Sequence, residues 1–373
     1  MAGIYVHIPF CKQACTYCDF HFSTNLSTQD QLTLAICDEI EQRKDELSSK
    51  PSTLYFGGGS PSILSDQNLD LIFKQLNRHF DLSGLIETTI ETNPDDHSAD
   101  KLAFWKSLGI SRLSIGIQSF IERDLQWMNR AHNAKEASEC VSLARDAGFR
   151  QLTLDLIYSI PKQSVEEWAQ NIEKAINSGV NHISAYCLTV EEKTALAHQV
   201  NKGNVEEKSQ EQTENEFHLL QDRLAEAGFM QYELSNFATE GNEALHNTNY
   251  WNGKPYLGIG PAAHSFDGHR TRRWNASNNA KYINALARND NYWEKETLTN
   301  SERLNERIIT SLRTSAGLQK SRLTPEEWQQ VEKNMRIMPE QLKSMLTTRK
   351  NSIRINPRHW LLSDAIIRSL IIG

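Results

Sequence analysis

Along the first 230 residues, short β-branched and aromatic stretches alternate with longer ones whose apolar positions recur every three or four residues. The strand-type stretches are 4–8, 53–56, 88–92, 112–117, 151–157 and 182–188. The helix-type stretches are 28–47, 66–80, 99–108, 134–147 and 165–178. Asp66 marks a helix start, and Gly109, Gly148 and Gly179 mark three helix ends. Strand–helix repetition implies right-handed crossovers and a parallel sheet. Six units predict an open, incomplete (β/α)6 barrel rather than the closed eight-fold form. A further helical stretch, 211–227, closes this part, and the polar stretch 191–210 carries no assigning pattern. Beyond about residue 230 the pattern changes. Aromatics, Asn and Gly increase, and no further strand–helix alternation is expected. Helical periodicity returns over 301–314, 325–335 and 339–347, followed by a short run at 352–356 and an apolar run at 361–372. Ser363 is placed to cap the last helix. The expectation is α/β: a partial barrel over 1–230, then a smaller α+β, winged-helix-like module over 231–373.

Composition narrows the class. The chain has 373 residues, enough for two or three domains at roughly 150 each. A net charge of −7 opposes a nucleic-acid footprint, so the winged-helix pattern is read as a packing module, with no nucleic acid as partner. Three of the six cysteines are scattered (Cys37, Cys140, Cys187) in apolar surroundings, which suits buried thiols in a reducing compartment. No signal peptide is visible and no apolar run is long enough to span a membrane, so a cytoplasmic location is expected.

The other three cysteines carry the chemistry. Cys11, Cys15 and Cys18 form C-x3-C-x2-C directly after the first predicted strand. Structural zinc usually takes four protein ligands. Three thiolates suit a [4Fe-4S] cluster that leaves one iron open to a small molecule. A zinc knuckle completed by His7 or His21 is the alternative.

Active groups in parallel α/β barrels gather at the C-terminal ends of the strands. Here the second strand runs into Gly57-Gly58-Gly59-Ser60-Pro61, where glycines permit close backbone approach. The third ends in Glu91-Thr92-Asn93-Pro94, the fourth in Gly116-Ile117-Gln118-Ser119 with Arg130 beyond it, and the fifth near Asp155. Polar groups ending consecutive strands need partners, because each buried without one costs a few kcal/mol.

These motifs, taken in order from Tyr5-x-His7-Ile8-Pro9-Phe10-Cys11 to Asp155-Leu156-Ile157, resemble the radical S-adenosylmethionine (SAM) superfamily. Within it they resemble the oxygen-independent coproporphyrinogen III oxidase family, over nearly the whole chain. The resemblance implies a cluster on Cys11, Cys15 and Cys18, with SAM chelating the open iron. It also implies that Tyr5, Tyr17, Gly58, Gly59, Ser60, Glu91, Gln118, Arg130 and Asp155 line the SAM site. Tyr17 departs mildly, since the family often has Phe there. Phe20 stands where the oxidases have a fourth cysteine, and the chain begins ten residues before Cys11, without their N-terminal extension. Both departures resemble the HemW-type, haem-chaperone branch.

The segment His246-Asn247-Thr248-Asn249-Tyr250-Trp251 resembles that branch's H-N-x-x-Y-W motif. It implies haem binding through His246, Tyr250 and Trp251, with imidazole on the iron and aromatic rings against the porphyrin. Chemically the cluster is weak alone, since a His beside aromatics is commonly structural. Nearby Arg270, Arg272 and Arg273 could pair with haem propionates, although a solvated basic face is the simpler reading. The expected function is a haem chaperone using haem, the cluster and SAM, with an apo-haemoprotein acceptor, free or membrane-associated, and a cellular reductant as partners. The alternative is a radical SAM oxidase that decarboxylates coproporphyrinogen III.

Overall fold

The computed structural model describes residues 2–372. All six expected strands form: β1 (Ala2–Ile8), β2 (Pro51–Gly58), β3 (Glu87–Thr92), β4 (Arg112–Gln118), β5 (Gln151–Tyr158) and β6 (His182–Cys187). They pair in parallel in sequence order, as the crossover rule requires. The helices between them also form, with trimmed ends. The first runs Gln29–Gln42, shorter than the expected 28–47, and the capping box at Ser164 and Glu167 starts Val165–Asn177.

Each strand alternates with period two. Ile4, Val6 and Ile8, Leu54 and Phe56, Leu113, Ile115 and Ile117, and Leu152, Leu154 and Leu156 face the helices and are buried. The intervening positions are polar, including Tyr5, Tyr55, Thr89, Glu91, Ser114, Thr153, Asp155 and Ser184, and line the concave face of the sheet. The hydrophobic core therefore lies between sheet and helices, while the barrel interior is a polar chamber. This differs from closed barrels, whose interiors are packed with branched apolar side chains.

The sheet extends beyond the expected end of alternation, which corrects the reading past residue 230. At one edge β7 (Met230–Gln231) and β8 (Asn236–Ala238) add antiparallel to β6. At the other, β9 (Tyr256–Ile259) pairs parallel to β1, and β10 (His264–Phe266), β11 (Thr271–Asn275) and β12 (Trp293–Thr297) continue antiparallel from it. No closed barrel forms in this twelve-stranded sheet. These later strands are two to five residues long, too short for the period-two pattern to show.

Two buried ion pairs tie the later segments to the parallel core. Arg43 bonds Glu39 and the Gly258 carbonyl, at 2.8 and 2.6 Å, and Glu39 accepts from the Gly260 amide and Asn275. Arg112 pairs with Glu87 at 2.9 Å, and Glu87 accepts the Leu245 and His246 amides at the start of the helix Leu245–Trp251. That placement suits the positive end of the helix dipole.

Residues from Asn300 on form a small module: helices Asn300–Leu312 and Pro325–Ile337 against a three-stranded antiparallel sheet of β13 (Leu318–Gln319), β14 (Leu346–Arg349) and β15 (Ser352–Ile355). Two expectations here need correction. The helix expected over 339–347 is a single turn, Glu340–Lys343, after which the chain enters β14. Ser363 does not cap: it is buried inside the last helix, whose N-cap is Leu362 with no side-chain bond.

Candidate functional site

The three thiols of Cys11, Cys15 and Cys18 lie in the loop that follows β1, on the wall of a cavity of about 520 Å³ at the C-terminal ends of the strands. Each has its own neighbour. Cys11 Sγ is 4.0 Å from Ser60 Oγ, and Cys15 Sγ is 3.4 Å from Arg130 Nη1. Burial pushes Cys11 up to about 12 and Cys18 to about 11, so these two thiols hold their protons until a cation replaces them. Among the described residues, no three His, Cys, Asp or Glu side chains converge on a single-ion site.

The glycine turn after β2 lies directly beneath. A Cβ on Gly59 would sit 2.6 Å from the Phe10 carbonyl and 3.0 Å from Cys11 Sγ, so only glycine lets this backbone pass the thiol loop. The Gly58 amide donates to Glu91 Oε2 at 3.0 Å, and Tyr55 donates to Glu91 Oε1 at 2.7 Å. Burial, with Asp155 nearby, raises Glu91 to about 7, and burial raises Asp155 itself to about 6. Ser114 donates to Asp155 at 3.1 Å. Gln118 ends β4 at φ 65°, a left-handed backbone that non-glycine residues rarely adopt, which here turns its side chain toward the cavity.

Arg130 crosses from the far side. Nη2 donates to Asn93 at 2.6 Å and to the Gly116 carbonyl at 2.8 Å, while its buried Nε has no partner. Tyr17 seals this flank, packing on Leu125, Met128, Ile157 and Ile160.

A three-thiolate cluster with an amino-acid chelate on its open iron needs acceptors for the N–H groups of the chelated amine and a donor for the carboxylate. Glu91 and Asp155 supply the first and Arg130 with its free Nε the second, so the residues present fit such a group. Of the expected SAM residues, Tyr17, Gly58, Gly59, Ser60, Glu91, Gln118, Arg130 and Asp155 share this cavity. Tyr5 does not. Its ring stacks on Tyr55 and its hydroxyl meets His7 Nδ1 at 3.0 Å, within the barrel and beside a second cavity. Asn93, Ser114 and Tyr186 also line the site. Their signal was the inward period of strands whose neighbours were already assigned.

The second cavity is larger, about 1120 Å³, between the β9–β11 extension, the loop after Cys18 and the helices of the small module. Phe20, Phe22, Tyr250, Trp251, Tyr256 and Phe266 give it an aromatic wall. Phe20 is 70 % exposed. Arg303 and Arg322 face it without a carboxylate partner among the described residues, whereas Arg307 pairs with Glu327 and Arg272 with Glu306. Trp251 Nε1 is buried without an acceptor. Asp19, Phe20 and Phe22 line both cavities.

The H-N-x-x-Y-W segment divides between the two environments. Tyr250 and Trp251 line the large cavity, but His246 is buried beneath it at 2 % exposure. Its Nδ1 meets Thr53 Oγ1 and its Nε2 the Tyr250 hydroxyl, both at 2.8 Å, and its ring stacks on Tyr55. Both ring nitrogens are hydrogen-bonded, so the structure holds His246 within the barrel wall and does not present it to the cavity. Burial lowers its pKa to about 3, so it is a neutral imidazole that positions Tyr250. Arg270, Arg272 and Arg273 are likewise committed, to Asn300, Glu306 and Glu46.

Residues 5–183 match the radical SAM superfamily. The chain is 34% identical over 329 residues to "Heme chaperone HemW" of Bacillus subtilis, covering 86% of each chain. It is 32% identical over 375 residues to "Heme chaperone HemW" of Mycobacterium tuberculosis, covering 99% of this chain and 94% of that one. Its fold matches coproporphyrinogen III oxidase (HemN) of Escherichia coli with a TM-score of 0.86 at 21% identity, over 99% of this chain and 90% of that one. The three-cysteine loop, the strand-end residues and these relatives together make the chain a member of the HemW family within the radical SAM superfamily.

Proposed function

We propose that the chain is a haem chaperone: it holds haem in the large cavity and passes it to an apo-haemoprotein acceptor, with a SAM-ligated [4Fe-4S] cluster alongside. The observation that carries this reading is the composition of that cavity. An aromatic wall suits the face of a macrocycle, and Arg303 and Arg322 suit its propionates: neither meets a carboxylate among the described residues, and Arg322 spends one donor on the Asn252 carbonyl at 2.9 Å. The cavity is slightly larger than ordinary ligand pockets. The two HemW relatives support the same reading by their names.

Cys11, Cys15 and Cys18 would hold the cluster. Tyr17, Gly58, Gly59, Ser60, Glu91, Gln118, Arg130 and Asp155 would hold SAM. Bound there, the pair supplies a reducible iron centre next to a sulfonium. The chain's own contribution is orientation, with Glu91 and Asp155 receiving an amine or hydroxyl donor and Arg130 a carboxylate. The cluster loop continues through Asp19, Phe20 and Phe22 into the wall of the haem cavity, so occupancy of one site would set the shape of the other.

The test is anaerobic reconstitution followed by addition of SAM and reductant, assaying haem binding and coproporphyrinogen conversion in one preparation. Stoichiometric haem binding without protoporphyrinogen formation is the expected result. Turnover of coproporphyrinogen without haem binding would replace the chaperone reading with the oxidase reading.

A further inference from the structure

Four histidines line the large cavity: His7, His21, His264 and His269. His7 spends both nitrogens, on the Tyr5 hydroxyl at 3.0 Å and the His21 carbonyl at 3.1 Å. His21 Nε2 is 2.7 Å from Asn279 Oδ1. His269 sits on the exposed turn between β10 and β11, where only its backbone amide is tied, to Asp267. His264 differs from all three. It lies on β10, its backbone paired with Trp274, and its ring stacks on the Trp274 indole at 6.2 Å between centroids. Neither ring nitrogen takes part in a hydrogen bond or ion pair among the described residues, and the side chain is exposed to the cavity.

The backbone at this position is clamped. A Cβ on Gly258 would lie 1.9 Å from the His264 carbonyl oxygen, so β9 and β10 touch at a point where only glycine fits. The next residue, Ser265, accepts from Arg43 at 3.0 Å and from the Gly258 amide at 2.9 Å, inside the buried network around Glu39. The sequence thus presents one rigidly mounted, uncommitted imidazole to the aromatic cavity.

We infer that His264 is the axial ligand to haem iron, with the macrocycle along the aromatic wall and its propionates toward Arg303 and Arg322. This rests on the haem-carrying reading above. The bond is a donated lone pair from one ring nitrogen, the other keeps its proton, and nothing is oxidised or reduced. Partial burial and the Arg272 charge lower the His264 pKa, so the imidazole is neutral near pH 7, as a ligand must be. His246, which the motif pointed to, orients Tyr250 from below.

The experiment uses the full chain with its cluster reconstituted anaerobically, titrated with ferric haemin and followed by absorption and electron paramagnetic resonance. His264→Ala should weaken binding by at least the ~10-fold that loss of even an outer partner of a metal ligand brings. It should also remove the imidazole-type signature. His264→Cys should replace that signature with a thiolate-type one, a gain that misfolding does not mimic. His269→Ala and His246→Ala should keep the parent spectrum. A parent-like spectrum in His264→Ala, or an imidazole-type spectrum in His264→Cys, overturns the assignment. A parent protein that binds no haemin instead defeats the haem-carrying reading itself.

Discussion

The two cavities are built in opposite ways. The cluster-side cavity takes its groups from the C-terminal ends of successive parallel strands, so residues near one another in the pattern are neighbours in space. The large cavity joins the loop after Cys18, the β9–β11 extension and helices beyond residue 300, segments brought together by the sheet edge, the buried Arg43–Glu39 pair and the Arg272–Glu306 pair. The first is lined by charged and polar strand-end groups, with every expected SAM residue but Tyr5 on its wall. The second is aromatic, with Trp251 Nε1 unpartnered and with Arg303 and Arg322 lacking a carboxylate among the described residues. A site grown on strand ends is a property of the fold. A site between segments is a property of what the fold happens to join, and it is where a large flat ligand finds room.

The shared wall of Asp19, Phe20 and Phe22 is the place to break that distinction. Cys15→Ala has the largest expected effect. Reconstituted protein should lose its four-iron content and cluster absorption entirely, while haemin binding falls far less. Equal loss of both would mean that the cavities are one site. A full four-iron cluster in this variant would overturn the ligand assignment.

Next in size is the pH response of the cluster-side carboxyls. Burial raises Glu91 from 4.5 to about 7, so the folded state holds its proton more tightly than the unfolded chain. Its contribution to stability is complete below pH 4.5 and gone above about 7. At ~1.36 kcal/mol per unit it amounts to up to about 3 kcal/mol, less what water in the cavity screens. Glu91→Gln should flatten the fall in stability of the cluster-free protein between pH 4.5 and 7, measured by urea unfolding. An unchanged slope would show that this carboxyl is already ionised in the folded protein. Haemin affinity should not follow this titration.

Replacing Arg303 and Arg322 together by Ala should weaken haemin binding about tenfold, roughly one charge-assisted hydrogen bond, and leave cluster assembly intact. The loss should vanish for a haem with esterified propionates. If the double variant binds both haems as the parent does, the propionates lie elsewhere.

The smallest expected effect on the ligand is that of His246→Ala. Thr53 and Tyr250 would lose a buried partner, costing about 1–3 kcal/mol of stability. Haemin affinity should stay within about threefold, with an unchanged spectrum. Loss of the imidazole signature here would return the iron to His246.

The comparison also shows where reading from the chain stops. The six parallel strands and their helices were legible because each strand is long enough for period two, and each helix for its 3.6-residue period, to appear. Cys11, Cys15, Cys18 and the glycine turn were legible because spacing along a single loop is itself geometry. Glu91 and Asp155 stood out by the rule about strand ends, and Arg130 came with the family resemblance. The strands from β7 to β12 escaped because two to five residues carry no period, and their pairing depends on edges exposed by the core. The surroundings of His246 were not legible for a related reason: a motif states which residues are near one another, but not which nitrogen is already bonded.

What the chain determined by itself was the alternation, and with it the parallel sheet, the polar interior and the thiol loop. These depend on contacts within tens of residues and on the two faces of a strand. Tertiary structure alone decided which histidine kept its nitrogens free. That choice depends on Thr53 meeting His246 from 193 residues away, and on Gly258 and Arg43 clamping the strand that carries His264. Hydrogen-bond commitment is settled by whichever partners the packed core delivers, and no local pattern encodes it.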